Sequence, residues 1–320
     1  MKFLIFGAIL ASLSLQGATS KNSGAAPAAL KTFLERQGFG GSPLQRRFGN
    51  HLFATTLMNG HRTALMIDTG CPYTLIDRAS VGKLGLIVQN TRSRVGGVFG
   101  WKSERFGASK LRTLAMGNCT FTNVPITVAD ESDINEIRGP HLDGLFGVHE
   151  MATFGIVVDC TRQMLYVNPK GASPTTSQNL AEFLGRRGFS RIPMRFSPEH
   201  HLEIGAGING HPVKLIVDTG SSTTLLAASA TTEYGASISK PNLMMRQSGG
   251  IERIGIGYIK ELELGSLRVP NAEIVIANIA RQIGVGLLGE EYLSWNFAIV
   301  DVGGMNLYLR PPESAPKKSR

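Results

Sequence analysis

Leu65-Met66-Ile67-Asp68-Thr69-Gly70 and Leu215-Ile216-Val217-Asp218-Thr219-Gly220 are one pattern written twice, at an offset of 150 residues. The match extends outward on both sides. Lys31 to His61 aligns with Ala181 to His211 without gaps, through Phe33-Leu34 and Phe183-Leu184, Gly38-Phe39 and Gly188-Phe189, His51-Leu52 and His201-Leu202, and Asn59-Gly60-His61 and Asn209-Gly210-His211. Thr74-Leu75 and Thr224-Leu225 keep the same offset. The register then slips, as loops allow. Gly96-Gly97 corresponds to Gly249-Gly250, and Met116-Gly117 to Leu264-Gly265. Towards the end the offset settles at 142, where Gly144-Leu145-Phe146-Gly147 matches Gly286-Leu287-Leu288-Gly289 and Val158-Asp159 matches Val300-Asp301. A repeat of this length is the organising fact of the chain.

The repeat divides the 320 residues into a first lobe over 29–172 and a second over 179–312, with Ser173-Pro174-Thr175-Thr176-Ser177 of linker composition between them. Short apolar runs ending in polar turns predict short strands, among them Leu65 to Ile67 and Ile156 to Val158 and their repeats. A short helical pattern opens each unit, at Leu30, Phe33 and Leu34 in the first, closed by Gly38. Another short helix is expected after each second glycine motif, at Val148 to Phe154 and Glu290 to Phe297. With 38 glycines and 18% charged residues, the composition also favours strands and tight turns.

A single Asp-Thr-Gly is a common turn composition. Two copies, each after an apolar strand and each followed later by two apolar residues and a glycine, are specific. Asp68-Thr69-Gly70 with Leu145-Phe146-Gly147, and Asp218-Thr219-Gly220 with Leu287-Leu288-Gly289, resemble the paired signatures of retropepsin-like aspartic peptidases. The resemblance covers nearly the whole chain beyond its N-terminus, twice over. It implies a mostly β fold of two homologous lobes forming a bilobal pseudo-dimer with a central cleft. It further implies an aspartic endopeptidase in which Asp68 and Asp218, one per lobe, activate a water.

Metal-free hydrolysis of an amide without a covalent intermediate needs an activated water and a proton donor. Two facing carboxylates that share one proton supply both. Gly70 and Gly220 allow close approach of the backbone to the carboxylates. By the resemblance, Thr69 and Thr219 hydrogen-bond across the lobe interface, Ser221 supports the second loop, and Gly96, Gly97, Gly249 and Gly250 belong to flap hairpins over the substrate; ordinary hairpin turns are the bland reading of those glycines. Phe99 and Trp101, near the first hairpin, either meet substrate or pack. With both catalytic loops on one chain, a monomer suffices. No cofactor and no metal are expected.

The first motif departs from the family by continuing Cys71-Pro72 where a small hydroxyl or Ala pair is usual; the second continues Ser221-Ser222. A hydroxyl at that place is expected to donate to the carboxylate, a thiol more weakly. Asp68 is then expected to be the less stabilised anion and to hold the shared proton. The departure leaves one alternative, a non-catalytic pseudo-peptidase that binds peptides or an envelope partner. Cys119 and Cys160 stand where the second repeat has Leu267 and Val302; they read as buried thiols or as a disulfide. His201 repeats His51, which suggests a shared structural role, and His200 beside it is no metal pair because adjacent strand residues face opposite ways. Asp143 has Val285 as its counterpart and is no symmetric catalytic element, whereas Asp159 and Asp301 recur as strand-end caps. Asn118-Cys119-Thr120 fits a glycosylation pattern.

The formal charge is +9, but the basic residues are scattered, and no basic helix interleaved with aromatics points to nucleic acid. The one cluster is the tail 313–320, with Lys317, Lys318 and Arg320. At the other end, Lys2, the apolar run Phe3 to Leu15 and Gly17-Ala18-Thr19-Ser20 have the layout of a signal peptide over 1–20. Nothing later is apolar enough for a transmembrane helix. An exported protein, periplasmic or secreted, acting on polypeptide and without stable membrane insertion is the expectation.

Overall fold

The computed structural model describes residues 25–98, 100–132, 141–247 and 250–312. The expected signal peptide and basic tail, and Phe99, Ser248 and Gly249, lie outside the described residues.

The first lobe contains β1 (Gly40–Arg46), β2 (Leu52–Met58), β3 (His61–Ile67), β4 (Leu75–Asp77), β5 (Gln89–Gly97), β6 (Gly100–Met116), β7 (Cys119–Ala129), β8 (Gly144–Phe146), β9 (Val157–Asp159) and β10 (Met164–Val167). The second repeats the series as β11 (Ser190–Phe196), β12 (Leu202–Ile208), β13 (His211–Val217), β14 (Leu225–Ala227), β15 (Ser237–Gln247), β16 (Gly250–Leu264), β17 (Leu267–Ala277), β18 (Gly286–Leu288), β19 (Ile299–Asp301) and β20 (Asn306–Leu309). Helices are few: α1 (Ala25–Arg36), α2 (Val81–Leu84), α3 (Val148–Thr153), α4 (Pro174–Gly185), α5 (Ala230–Glu233) and α6 (Glu290–Trp295).

In each lobe the strands close on themselves. β2 pairs with β3, β3 with β8 in parallel, β8 with β4, β4 with β7 in parallel, β7 with β6, and β6 returns to β2. The second lobe repeats this circuit through β12, β13, β18, β14, β17 and β16. Closure leaves no unpaired edge in the circuit. The hairpin between β2 and β3 turns at Asn59-Gly60, both at positive φ (50° and 87°), and its repeat turns at Asn209-Gly210 (52° and 82°). This is the composition that a two-residue hairpin of matching twist demands. The two asparagines also bind outward: Asn59 Nδ2 donates to the Leu84 carbonyl at 2.8 Å and Asn209 Nδ2 to that of Tyr234 at 2.6 Å.

A third sheet joins the lobes. Its six strands run β1-β10-β9-β19-β20-β11, all antiparallel, with β9 against β19 at the centre. α1 and α4 cover it, packing Leu30, Leu34, Leu180, Phe183 and Leu184 onto Val157, Tyr166, Ile299 and Tyr308, with Phe33 stacked on Phe183 at 4.1 Å. The segment read as a linker is in fact the first turn of α4. The Ser173 side chain caps it by accepting from Thr176 N–H at 3.1 Å, and Pro174 takes the first helical position. Serine followed by proline is a helix start as much as a linker. The expected helices at α3 and α6 form, one or two residues shorter than drawn.

Candidate active site

β3 and β13 deliver the two Asp-Thr-Gly loops to the lobe interface. The last three residues of each strand before the aspartate, Leu65 to Ile67 and Leu215 to Val217, are apolar and buried. There the polar loop begins, with Asp68 N–H donating to the Phe146 carbonyl at 3.1 Å and Asp218 N–H to that of Leu288 at 3.0 Å. Asp68 Oδ1 accepts from the N–H groups of Gly70 (2.9 Å) and Cys71 (3.1 Å). Asp218 Oδ1 accepts from those of Gly220 (2.8 Å) and Ser221 (3.0 Å).

The threonines bind across the interface. Thr69 Oγ1 donates to the Val217 carbonyl at 2.7 Å and accepts from Thr219 N–H at 3.0 Å; Thr219 Oγ1 donates to the Ile67 carbonyl at 2.7 Å and accepts from Thr69 N–H at 3.1 Å. Both threonines are fully buried. The four bonds hold the loops so close that only glycine fits at two places. A Cβ on Gly70 would lie 2.4 Å from the Asp218 carboxyl carbon, and one on Gly220 would lie 2.2 Å from that of Asp68. Each carboxyl group thus lies against the glycine of the other loop, and both aspartates are at least nine-tenths buried. Burial, and then the charge of Asp68, push the Asp218 carboxyl well above the ordinary carboxylate range.

The glycine motifs pack behind the loops. A Cβ on Gly147 would meet the Tyr73 carbonyl carbon at 2.2 Å, and one on Gly289 that of Thr223 at 2.4 Å. Thr74 and Thr224, seen in the sequence only as matched positions, fasten these motifs: their Oγ1 atoms accept from Gly147 N–H (3.1 Å) and Gly289 N–H (2.9 Å). Glutamates hold the threonines in turn. Glu150 Oε2 accepts from Thr74 N–H at 2.7 Å, and Glu291 Oε1 accepts from Thr224 N–H. Sequence reasoning missed both, because they stand one place apart in the repeat: the offset of 142 carries Glu150 onto Tyr292.

The expectation for Cys71 and Ser221 is overturned. Neither side chain donates to a carboxylate. Cys71 Sγ donates to the Tyr73 carbonyl at 3.1 Å and Ser221 Oγ to that of Thr223 at 2.8 Å. The backbone N–H groups occupy the carboxylate, so the side chains turn to the carbonyl two residues on. Cys71 thus does what Ser221 does, and the two side chains give Asp68 no preference as holder of the shared proton. The Cys71 thiol is itself pushed well up, by burial first and then by Asp68.

His201, read with His51 as sharing a structural role, bonds across the lobe interface. Its Nδ1 donates to the Gly70 carbonyl at 3.0 Å, and burial lowers its pKa. His51 is buried as well. Asp143 is buried and accepts from Ala64 N–H (2.9 Å), Ser80 Oγ (2.8 Å) and Lys83 Nζ (3.0 Å). Asp159 and Asp301 cap strand ends, accepting from Arg162 N–H (2.9 Å) and Gly304 N–H (2.8 Å). Cys71, Cys119 and Cys160 are free thiols.

Both expected hairpins form. β5 and β6 close at Gly97 opposite Gly100, with Gly96 opposite Trp101; β15 and β16 close at Gln247 opposite Gly250. The first hairpin reaches the other lobe: the Val98 carbonyl accepts from Ala280 N–H at 2.7 Å, and Val98 packs on the cluster of Ile216, Leu225, Met245, Ile254 and Leu287. Among the described residues, no group of three His, Cys, Asp or Glu side chains is arranged to hold a metal ion, and no helix is long and apolar enough to cross a membrane.

Two family models match, one per lobe: "Aspartyl protease" over residues 54–149 and "gag-polyprotein putative aspartyl protease" over residues 204–295. Each match holds one Asp-Thr-Gly loop and its glycine motif. The chain belongs to the retropepsin-like aspartic peptidases, with one such domain in each half. Among solved structures, a retropepsin-like aspartic protease from Rickettsia conorii aligns at 18% identity and a TM-score of 0.32, covering 40% of this chain and 90% of its own. Basic 7S globulin from soybean aligns at 11% identity and a TM-score of 0.49, covering 85% of this chain and 94% of its own. No curated protein matches the chain.

Proposed function

We propose that the chain is an aspartic endopeptidase that hydrolyses peptide bonds with a water activated between Asp68 and Asp218. The observation that carries this reading is the contact of two buried carboxyl groups, held from both lobes by the crossed threonine bonds. Such a pair shares one proton over a wide pH range. The ionised carboxylate takes a proton from the water as its oxygen attacks the carbonyl carbon, while the protonated carboxyl donates to the carbonyl oxygen. The tetrahedral diol then collapses: the dyad's proton passes to the amide nitrogen, the C–N bond breaks, and one diol hydroxyl returns its proton to the dyad as the C=O bond forms, which leaves the dyad singly protonated again. Gly70 and Gly220 are the backbone that admits the two carboxyls to each other, and Thr69, Thr219 and the Ser221 N–H hold them.

The glycine-bearing hairpins, with Gly96-Gly97 in one and Gly249-Gly250 in the other, act as flaps over a bound polypeptide. The bridge from Val98 to Ala280 supports this role for the first. The substrate is polypeptide, the working species is a monomer, and the site of action is outside the cytoplasm, the last on the strength of the N-terminal sequence alone. A digest of denatured protein across pH, with and without a transition-state-mimicking peptide inhibitor, tests the reading. Acid-favoured cleavage blocked by the inhibitor is expected. Inhibitor binding without cleavage at any pH would establish the pseudo-peptidase instead.

A further inference from the structure

One buried acid beside the site has no part in the chemistry above. Glu290 opens α6 directly after Gly289 and is fully buried. Its N–H donates to the Ser221 carbonyl at 2.8 Å, and Ser221 N–H donates to Asp218 Oδ1 at 3.0 Å. Two backbone steps therefore separate Glu290 from the Asp218 carboxylate. Its side chain meets the other lobe. Glu290 Oε1 accepts from Arg46 Nη1 at 2.9 Å and from Ser294 Oγ at 2.6 Å. Arg46 ends β1, and both terminal nitrogens of its guanidinium are held: Nη1 donates to the Asn50 carbonyl (2.9 Å) and Oδ1 (2.8 Å), and Nη2 donates to the Cys160 carbonyl and to Ser294 Oγ (3.0 Å). The Cys160 thiol lies against the same carboxyl.

The arrangement exists on one side of the molecule. By the repeat, Arg46 corresponds to Phe196, Asn50 to His200, Cys160 to Val302 and Glu290 to Val148, a set that makes no ion pair. The Asp68 loop is tied to the second lobe differently, through His201 and the Gly70 carbonyl. A buried ion pair adds little net stability, since desolvation offsets the attraction and apolar residues of similar size do as well. Val148 and Phe196 occupy the related positions in the same molecule. Stability alone is therefore a poor reason for the pair, whereas directional bonds through a planar guanidinium fix geometry.

We propose that Arg46 and Glu290 are positioning residues that lock the Asp218 loop to the first lobe and so set the approach of Asp218 to Asp68. The proposal rests on the dyad reading above. Releasing the lock lets the carboxyls separate. Their mutual repulsion weakens, so the two apparent pKa values of the pair draw together and the rate–pH bell narrows. Substrate contacts elsewhere in the cleft are untouched.

The test compares wild type, Glu290→Gln, Arg46→Met, Arg46→Lys and the double variant Arg46→Phe/Glu290→Val, which copies the opposite side. For each, kcat, KM, the full pH profile and Tm are measured on one peptide substrate. The expected result is a fall in kcat of about tenfold or more in Arg46→Met and the double variant, KM within about twofold, and a narrowed bell. Glu290→Gln, which keeps the shape of the side chain, gives a smaller fall with the same narrowing, and Arg46→Lys recovers part of the loss. The double variant guards against misfolding, because it leaves no buried charge unpaired. Full kcat and an unchanged bell in Glu290→Gln and the double variant overturn the proposal, whatever happens to Tm. A wild type whose turnover survives Asp218→Asn overturns the dyad reading and this proposal with it; an active, Asp218-dependent wild type with indifferent variants overturns this proposal alone.

Discussion

Asp143 in the first lobe and Glu290 in the second are both buried acids beside a glycine motif, and their surroundings are opposite. Asp143 precedes its motif and is met by the Ala64 N–H, Lys83 and Ser80, which outweigh burial and hold its pKa below the ordinary value. Val285 takes its place in the second lobe. Glu290 follows its motif and is enclosed; burial raises its pKa to about 7 despite Ser294 and Arg46. Burial also raises Glu291 to about 7 and Asp301 to about 6. Val148 and His149 stand in the first lobe where Glu290 and Glu291 stand in the second. The two lobes thus share the bonds that hold the Asp-Thr-Gly loops and disagree in where they bury charge. Duplication holds the geometry of the loop fixed and lets the electrostatics behind it diverge.

The largest effect should be equal in both lobes. Asp68→Asn and Asp218→Asn are each expected to abolish turnover with the fold intact by circular dichroism. Substantial activity in either single variant would break the symmetry of the site and the two-aspartate mechanism. Next come the crossed threonines. Thr69→Val and Thr219→Val each orphan a buried carbonyl and a buried N–H, which costs about 2–5 kcal/mol. Denaturant melts should give the same loss for the two, and a difference beyond about 1 kcal/mol would locate the asymmetry in the lattice itself.

A smaller effect separates the lobes by pH. The buried acids of the second lobe have folded pKa values above the unfolded ones. Their contribution is fully present below about pH 4.5 and is lost as pH rises through about 7. Asp143, with its folded value lowered, contributes above its unfolded pKa and loses that contribution as pH falls. Stability should therefore decline from about pH 5 to 8. Glu291→Gln, which keeps an oxygen for the Thr224 N–H, should flatten that decline by about 1–3 kcal/mol. A slope unchanged in this variant would show that the neutral form does not persist in the fold. The smallest effect belongs to Cys71→Ser. The serine takes the same bond to the Tyr73 carbonyl, so Tm should move by less than a few degrees and the alkaline limb of the rate profile should stay in place. A shift of that limb to lower pH would mean that the side chain does reach Asp68.

Much of this architecture was legible because the two halves comment on each other. Asp68 and Asp218, their glycines and the Leu-Phe-Gly and Leu-Leu-Gly motifs stand out by recurrence, and the mostly β lobes and the hairpins follow. What escaped was whatever does not recur in register. Glu150 and Glu291 do one job from positions one residue apart. Arg46 and Glu290 are far apart in sequence and absent from the mirror side. Ser173-Pro174 has the composition of a linker and of a helix cap alike, and only the apolar face of α4 against the joining sheet decides between them. A hydroxyl or thiol three residues after the aspartate has two acceptors in reach, and the direction of the loop chooses the carbonyl.

The pairing of β9 with β19 carries a consequence for how such a chain is divided. Val158 lies opposite Val300, its own repeat, while Asp159 faces Ile299 and Val157 faces Asp301. The register is therefore self-complementary about a twofold axis through that valine pair. A first half made alone ends in a bare strand whose best partner is the same strand in another molecule. The covalent link through α4 raises the local concentration of one half at the other, so activity per molecule is expected not to fall on dilution. Each half became free to change its buried charges separately, which two identical subunits never are.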